Sequence, residues 1–321
     1  MKIRRLSIVL LLPLLGICAC KPKEVSERPV IEYVSEIIQE RANPAHQLLG
    51  NFNPSNANGN IVVLGPLEEV RPMSASLMRF DRFDNVDARP VRDSLLDFSG
   101  EVITRVIMGD KSPLTAIQTE EGIRNLRELT VKAALAALDT LGQRTPGKVV
   151  ILTSSAMAAY GKYDLDSLMR AFHIQDAVFF PLDLMTEKAL SKPDARIGII
   201  SSLPPQVYEE YFKYRDEFEG IAIGVYTKDM VLNEISVVDT LALDVLMLDD
   251  CTLAADTLRA RFPKVEVVTP GSVTSEACFK AMRRRNIFTH RVAYPKRETF
   301  TALLGEDSEF ILTDSDDREL F

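Results

Sequence analysis

The sequence predicts an α/β protein with two similar lobes, each a mainly parallel sheet flanked by helices, with a cleft between them. Three short runs, 61–64, 149–152 and 245–248, are entirely apolar, as is typical of strands buried on both faces of a sheet. Segments with helical spacing of apolar residues alternate with such runs, which favours parallel strands joined by right-handed crossovers. A chain of 321 residues is long enough for two sheets of this kind.

The elements follow in order along the chain. The fold proper is expected to begin with the strand "NIVVLGP" at 60–66, and a strand with mixed faces follows at 100–108. The clearest helix is predicted for 119–142, where Ile123 and Leu126 share one face, Glu120 suits the first turn and Gly142 the C-terminal cap. The remaining strands with their exits are predicted at 148–157, 177–181, 195–202, 221–227, 244–248 and 264–270, and the remaining helices at 164–174, 182–191, 204–218, 252–262 and 272–286.

The first 20 residues are typical of a bacterial lipoprotein signal peptide. A basic start, "MKIRR", precedes an apolar run that is too short to span a bilayer as a helix. Ile17 and Ala19 stand three and one residues before Cys20, as in a lipoprotein signal peptidase site. We therefore expect Cys20 to be lipidated and the protein to be membrane-anchored on the periplasmic or cell-surface side. The alternative is an ordinary signal peptide with incidental cysteines.

Residues 21–60 are interpreted as a tether because they are polar and rich in turn-forming residues. "KPKEVSERP" carries prolines, and "NPSNANGN" at 53–60 has turn chemistry throughout. One short amphipathic helix is expected within the tether, from Ile31 to Glu40.

Charge and motif content exclude several classes of function. The net charge is −8 and no basic stretch is large enough for nucleic acid, so we expect no nucleic-acid partner. Glycine-rich phosphate-binding motifs are absent, so no nucleotide cofactor is expected. The cysteines and histidines lack metal-ligand spacing, so no metal site is expected either.

Hydroxyl-bearing residues follow several predicted strands. Thr153, Ser154 and Ser155 follow one, Ser201 and Ser202 another, and Thr252 comes shortly after a third. Since open α/β sheets bind ligands at the carboxyl ends of their strands, these residues predict an anion-binding cleft, and helix N-termini attract both carboxylate and phosphate. Each residue taken singly could equally be a helix cap.

The order of these signals resembles the Asp/Glu racemase superfamily, which includes hydantoin racemase, maleate isomerase and arylmalonate decarboxylase. "VVILTSSAMAAYG" at 149–161 is similar to the first motif strand, and "ARIGIISSLPPQVYEEYF" at 195–212 to the start of the second lobe. The segment 244–282, with Cys251 after its strand, is similar to the second motif strand, the last strand and the closing helix. The resemblance implies two α/β lobes around a cleft and activity without a cofactor.

The resemblance also implies the domain boundaries. Residues 61–190 are assigned to the first lobe, 191–270 to the second, 271–288 to a closing helix that returns to the first lobe, and 289–321 to a C-terminal extension. Residues 71–98 and 289–321 fit neither lobe's pattern.

The departures from the family pattern bear on function. The first motif cysteine is missing, with Leu152 to Ser155 in the candidate positions, and Asp250 replaces the usual glycine before Cys251. Two-base racemisation needs a thiol on each face of the reacting carbon, so the resemblance implies an enzyme that does not racemise. Cys251 would be the single acid or nucleophile of an isomerase or lyase acting on a small carboxylic acid.

Three other interpretations stay open. Cys251 is equally explained as a semi-buried structural cysteine. The chain could be a lipid-anchored solute-binding protein, or an envelope lipoprotein that keeps the fold without activity. The sequence leaves the ligand and the oligomeric state open.

Overall fold

The structure is a computed structural model of the whole chain. It describes residues 28–85, 87–92, 95–108, 117–139, 145–213, 215, 223–227, 242–249, 253–291, 293–304 and 310–314. The strands are β1 (Asn60–Gly65), β2 (Val102–Met108), β3 (Gly147–Leu152), β4 (Val178–Phe179), β5 (Ile197–Ile200), β6 (Ile223–Tyr226), β7 (Val245–Leu248), β8 (Glu266–Val268), β9 (Lys296–Leu304) and β10 (Phe310–Asp314). The helices are α1 (Glu32–Gln39), α2 (Pro44–Gly50), α3 (Leu67–Met78), α4 (Glu120–Leu138), α5 (Ser155–Ala171), α6 (Pro181–Leu190), α7 (Pro205–Lys213), α8 (Ala255–Arg261) and α9 (Pro270–Arg285).

The strands form two sheets, which confirms the predicted α/β class with two lobes. The first sheet has the order β10-β9-β2-β1-β3-β4 and the second the order β6-β5-β7-β8. Every neighbouring pair is parallel except β9 and β10. The central strands β3 and β7 are buried along their whole length. Helices cover both faces of the parallel strands, as burial of both faces requires.

A shared core joins the two lobes. One apolar cluster contains Val62 and Val150 of the first sheet together with Ile199 and Val245 of the second. The closing helix α9 packs back on the first lobe, where Cys278 and Phe279 join the cluster around Ile61. Burial raises the pKa of the Cys278 thiol, which makes this cysteine a poor nucleophile.

Two elements differ from the sequence expectations. Residues 67–78, most of which fit neither lobe's pattern, form α3 even though Pro72 lies inside the helix. Helix α5 begins at Ser155, nine residues before the predicted start at 164. Gly161 allows the first half of α5 to pack closely on α4, because a Cβ at this position would overlap Thr130.

The N-terminal segment is packed on the body from residue 28 onward. Residues 32–50, which the sequence assigned to a tether with one helix, form the two helices α1 and α2. Val34, Ile37 and Leu49 are buried in the shared core. Asp164 on α5, fully buried, accepts a hydrogen bond from the Ile31 amide at 3.0 Å and pairs with Arg127 at 2.6 Å.

A buried ion pair fixes the amino end of the first sheet. Lys148 Nζ lies 2.6 Å from Glu101 Oε2, and both side chains are excluded from solvent. The ammonium also donates to the carbonyls of Ala57 at 3.0 Å and Ile287 at 2.8 Å. Glu101 in turn accepts from the Thr289 amide at 2.7 Å, so the pair ties β3 to the segment after α9.

Within the described residues, no helix combines the length and apolar character needed to cross a bilayer.

Candidate functional site

The carboxyl ends of β1, β3, β5 and β7 meet between the two lobes. The Thr153 amide donates to the Leu64 carbonyl at 3.0 Å, which aligns the exits of β3 and β1. The Asp249 amide donates to the Ile200 carbonyl at 2.9 Å, which aligns the exits of β7 and β5. Polar side chains from all four exits therefore converge at one place, as expected for the ligand-binding edge of parallel sheets.

The first lobe contributes a carboxyl group and a hydroxyl group. Glu69, in the first turn of α3, lies with Oε2 2.9 Å from Thr153 Oγ1. Thr153 is buried, with only 6% of its surface exposed. Gly65 makes this approach possible, because a Cβ at position 65 would lie less than 3.0 Å from Thr153 Oγ1. The end of β1 is therefore shaped around the pair formed by Thr153 and Glu69.

The second lobe contributes a carboxylate that also reaches the first lobe. Ser155, at the start of α5, donates to Asp249 Oδ1 at 2.8 Å, and the Tyr208 hydroxyl donates to Oδ2. Ser201 Oγ lies 2.6 Å from Tyr208 Oη and accepts from the Leu203 amide at 2.9 Å. Asp249 thus links a hydroxyl of each lobe.

The two carboxyl groups stand in different electrostatic environments. Burial, followed by the nearby charge of Asp249, raises the pKa of Glu69 to about 8. Burial and the Asp249 charge also raise the pKa of Tyr208, so its phenol stays neutral and acts as a donor. Glu69 is therefore predominantly protonated at neutral pH, next to an aspartate held by two hydroxyl donors.

The structure places the site residues predicted from the sequence in different environments. Thr153, Ser155 and Ser201 come together, and their hydroxyls engage side chains of the protein itself. Ser154 caps α5 by accepting from the Met157 amide at 3.4 Å, and Ser202 is exposed to solvent. Cys251, Thr252 and Cys20 lie outside the described residues, so their assigned roles stay predictions.

Glu69, Tyr208 and Asp249 were not among the predicted site residues. Asp249 lies two positions before Cys251 in the sequence, where a carboxylate is expected only to oppose thiolate formation. Glu69 resembles an ordinary acidic residue in a first helical turn, and Tyr208 an apolar position of an amphipathic helix. Their role becomes visible only once the strands that carry their partners are adjacent.

A cavity of about 860 Å³ opens beside this cluster. Glu69 and Met73 of α3 line one wall, and Leu248 and Leu253, on either side of the Cys251 segment, line the opposite one. The rim carries charged side chains and the start of α9, namely Arg79, Asp81, Arg82, Arg92, Arg259, Pro270 and Gly271, and Arg92 lies 3.9 Å from Asp81.

The rim is suited to anions. Helix α9 begins with a proline, and its N-cap residue Thr269 makes no side-chain capping bond. The free amides of that first turn and the positive end of the helix dipole attract negative charge. Arg79 is exposed and has no carboxylate partner among the residues that the structure describes.

Metal binding has no support in the described part of the chain. There, no three His, Cys, Asp or Glu side chains lie close enough together to hold an ion.

Comparison with solved structures finds the same architecture in glutamate racemases. Glutamate racemase isoform RacE1 from Bacillus anthracis matches with a TM-score of 0.51 and 14% identity over 78% of this chain and 90% of its own. The Thermus thermophilus enzyme in complex with beta-chloro-D-alanine matches at 0.52 and 12%, over 79% and 91%. The Francisella tularensis enzyme in complex with D-glutamate matches at 0.51 and 11%, over 78% and 91%.

The likeness is one of structure alone. No protein-family model and no curated protein matches the sequence. The structural match nevertheless extends over 78–79% of this chain and 90–91% of the three racemases. This chain has the fold of the Asp/Glu racemase superfamily.

Proposed function

We propose that this protein is an exported lipoprotein that binds a small carboxylic acid in the cleft between its lobes and does not racemise it. The observation that carries the proposal is the cavity that Glu69 lines together with four arginines and the start of α9. Arginine is the side chain best suited to bind a carboxylate, since its donors form a planar fork. The Francisella tularensis racemase of the same fold, in complex with D-glutamate, supports this class of ligand.

The absence of racemisation follows from the proton carriers available. Stereoinversion without a cofactor needs a donor and an acceptor on opposite faces of the reacting carbon. In the first motif the hydroxyls of Thr153 and Ser155 engage carboxyl groups, and a hydroxyl is a far weaker acid than a thiol. Cys251 would be the one motif thiol, as acid or nucleophile in an isomerase or lyase reaction.

The alternative of a hinged solute-binding protein has less support. A solute-binding protein that closes by hinge motion needs lobes that separate. Here Val150 of the first sheet and Val245 of the second belong to one continuous apolar core.

Carboxylate binding is tested on the full-length chain in detergent by calorimetric titration with succinate and with D-glutamate. Arg79→Met should weaken binding about tenfold, since a charge-assisted hydrogen bond contributes about 1.5–3 kcal/mol. Arg89→Met is the matched control, because Arg89 is similarly exposed but lies outside the cavity. Equal affinities for the two variants, or no binding of either ligand to the wild type, would contradict the proposal.

Racemisation is tested separately. Incubation with L- and D-aspartate and glutamate in D2O should give no inverted product. Deuteration with inversion that disappears in Cys251→Ala would show a second proton carrier of full strength and would refute this part of the proposal.

Lipid anchoring rests on the sequence "ICAC" at 17–20 and the short apolar run before it. Cells expressing the wild type should incorporate a radiolabelled lipid precursor into the protein, and Cys20→Ala should abolish both label and membrane retention. Cys18→Ala is the control and should retain both.

A further inference from the structure

We propose that Glu69 is the acid and base of the first lobe, and that Thr153 is the positioning residue that keeps it hydrogen-bonded in both protonation states. The inference rests on the proposed function for its ligand, but the assignment of the proton-carrying group is new. Glu69 would take and return a proton on one face of the ligand only, so this assignment is consistent with the proposed absence of racemisation.

The first argument is the placement of the Thr153 hydroxyl between two acceptors. Thr153 Oγ1 lies 2.9 Å from Glu69 Oε2 and 3.4 Å from the Leu64 carbonyl oxygen. A hydroxyl has one hydrogen to donate and can accept through its lone pairs. When Glu69 is ionised, Thr153 donates to Oε2. When Glu69 is neutral, Glu69 donates to Oγ1 and Thr153 turns its hydrogen to Leu64.

Both protonation states of Glu69 are therefore satisfied without movement of the backbone. A buried carboxyl group with a single fixed donor would be strongly biased towards one state. A group that gives up and regains a proton in each cycle must be stable in both protonation states. The Thr153 hydroxyl makes this possible because it can rotate and either donate to Glu69 or accept from it. Gly65 maintains the arrangement, since a side chain at that position would displace Thr153.

The second argument is the set of charges that face Glu69. Asp249 lies across from it on the second lobe, where Ser155 and Tyr208 donate to its two carboxylate oxygens. Asp249 and Glu68, the preceding residue, both raise the pKa of Glu69. The cavity lining also contains the carboxylate of Asp81 and the arginines Arg79, Arg92 and Arg259. Two carboxyl groups kept in different environments form an acid and base pair.

The third argument is access. Glu69 lines the cavity, whereas the buried carboxyl groups of Glu101 and Asp164 are enclosed by ion pairs. A ligand whose carboxylate is held at the arginine rim would place its adjacent carbon towards Glu69. In the exchange step the Glu69 carboxylate takes the proton from that carbon and leaves an enediolate. The neutral Glu69 then returns a proton to the same face, so ligand and enzyme end in their starting states.

The experiment has two arms on the full-length chain. In the first, glutamate carboxyl carbons labelled with ¹³C are titrated by NMR without ligand, and Glu69→Gln identifies the signal. We expect a midpoint near pH 8 instead of the ordinary 4.5. Thr153→Val should raise the midpoint further because the Thr153 donor lowers the pKa, and Asp249→Asn should lower it.

In the second arm, deuterium uptake from D2O into the methylene groups of succinate is measured by mass spectrometry. The wild type should exchange these hydrogens, and Glu69→Gln should slow the exchange at least about 100-fold, the usual contribution of a general acid or base. Glu69→Asp should restore part of the rate, which a merely structural role would not do.

The outcomes separate the inference from the proposed function. The inference would be overturned if the Glu69 carboxyl titrated at the same pH as ordinary glutamates. It would also be overturned if Glu69→Gln exchanged the hydrogens of succinate at the wild-type rate. Bound succinate that does not exchange, despite a midpoint near 8, would also overturn it. If succinate does not bind, the proposed function fails while the titration and its response to Asp249→Asn still decide whether Glu69 is the proton carrier.

Discussion

Gly65→Ala is expected to damage both the stability of the fold and the candidate site. The new methyl group would lie less than 3.0 Å from Thr153 Oγ1, closer than real Cβ contacts come. Thr153 is buried at the end of a central strand, so it can yield only by shifting the start of α5 or by breaking its contact with Glu69. Overpacking of this kind costs about 1–3 kcal/mol, and loss of one buried hydrogen bond about 1 kcal/mol more.

A total loss of about 2–4 kcal/mol lowers the melting temperature by about 3–6 °C, because the entropy of unfolding grows with chain length at about 2.1 cal/mol/K per residue. The matched control is Gly50→Ala, the last residue of α2, where a methyl group meets nothing within 4 Å. This substitution should leave the melting temperature unchanged or raise it slightly, because alanine favours helix. Differential scanning calorimetry of both variants tests the difference.

The site itself gives a second measure of the same substitution. In Gly65→Ala the Glu69 carboxyl loses the hydroxyl that lies 2.9 Å from it, so the midpoint of its NMR titration should move above that of the wild type. A Gly65→Ala variant that melts like the Gly50→Ala control and titrates like the wild type would refute the reasoning that β1 is shaped around Thr153.

Three further predictions concern pH, the buried ion pair and the N-terminal segment. Because the pKa of Glu69 is raised to about 8 from 4.5, its contribution to stability is complete below pH 4.5 and is lost as pH rises to 8. Urea denaturation should show a slope of up to about 1.4 kcal/mol per pH unit in that window, and Glu69→Gln should remove it. Lys148→Met leaves the Glu101 carboxylate buried without its partner and should lower the free energy of unfolding by about 3–5 kcal/mol in the same assay. Adding Glu101→Leu should restore most of this stability. A double variant as unstable as Lys148→Met would contradict this account. Asp164→Asn weakens the bond to Arg127, so limited proteolysis should cut within 28–50 faster than in the control Asp166→Asn, and equal rates would count against docking by this pair.

The sequence was informative where burial is complete. β3 and β7 each contain a run of four apolar residues, 149–152 and 245–248, so composition alone marked them as central strands. By contrast, β9 was missed because "KRETFTALL" begins with charged residues. Its pairing with β2, in register from Val102 with Lys296, depends on a contact between distant parts of the chain.

The candidate site was predictable in location but not in chemistry. The hydroxyl residues Thr153, Ser155 and Ser201 follow strands, and strand exits of parallel sheets lie together by topology. Glu69 could not be distinguished from other acids in first helical turns, because its partner Thr153 is 84 positions away. Its raised pKa also arises from burial and from Asp249 of the other lobe, which local sequence does not encode.

With Cys20 lipidated as proposed, the docked N-terminal helices would limit how far the fold can lie from a membrane. Arg28 already contacts the body, 3.4 Å from Glu210 on α7, so only residues 21–27 separate Cys20 from the folded part of the chain. The distance from Cys20 to Arg28 is then at most about 29 Å, whereas a free segment up to residue 60 would extend about 140 Å. The fold would work within a few nanometres of the lipid surface.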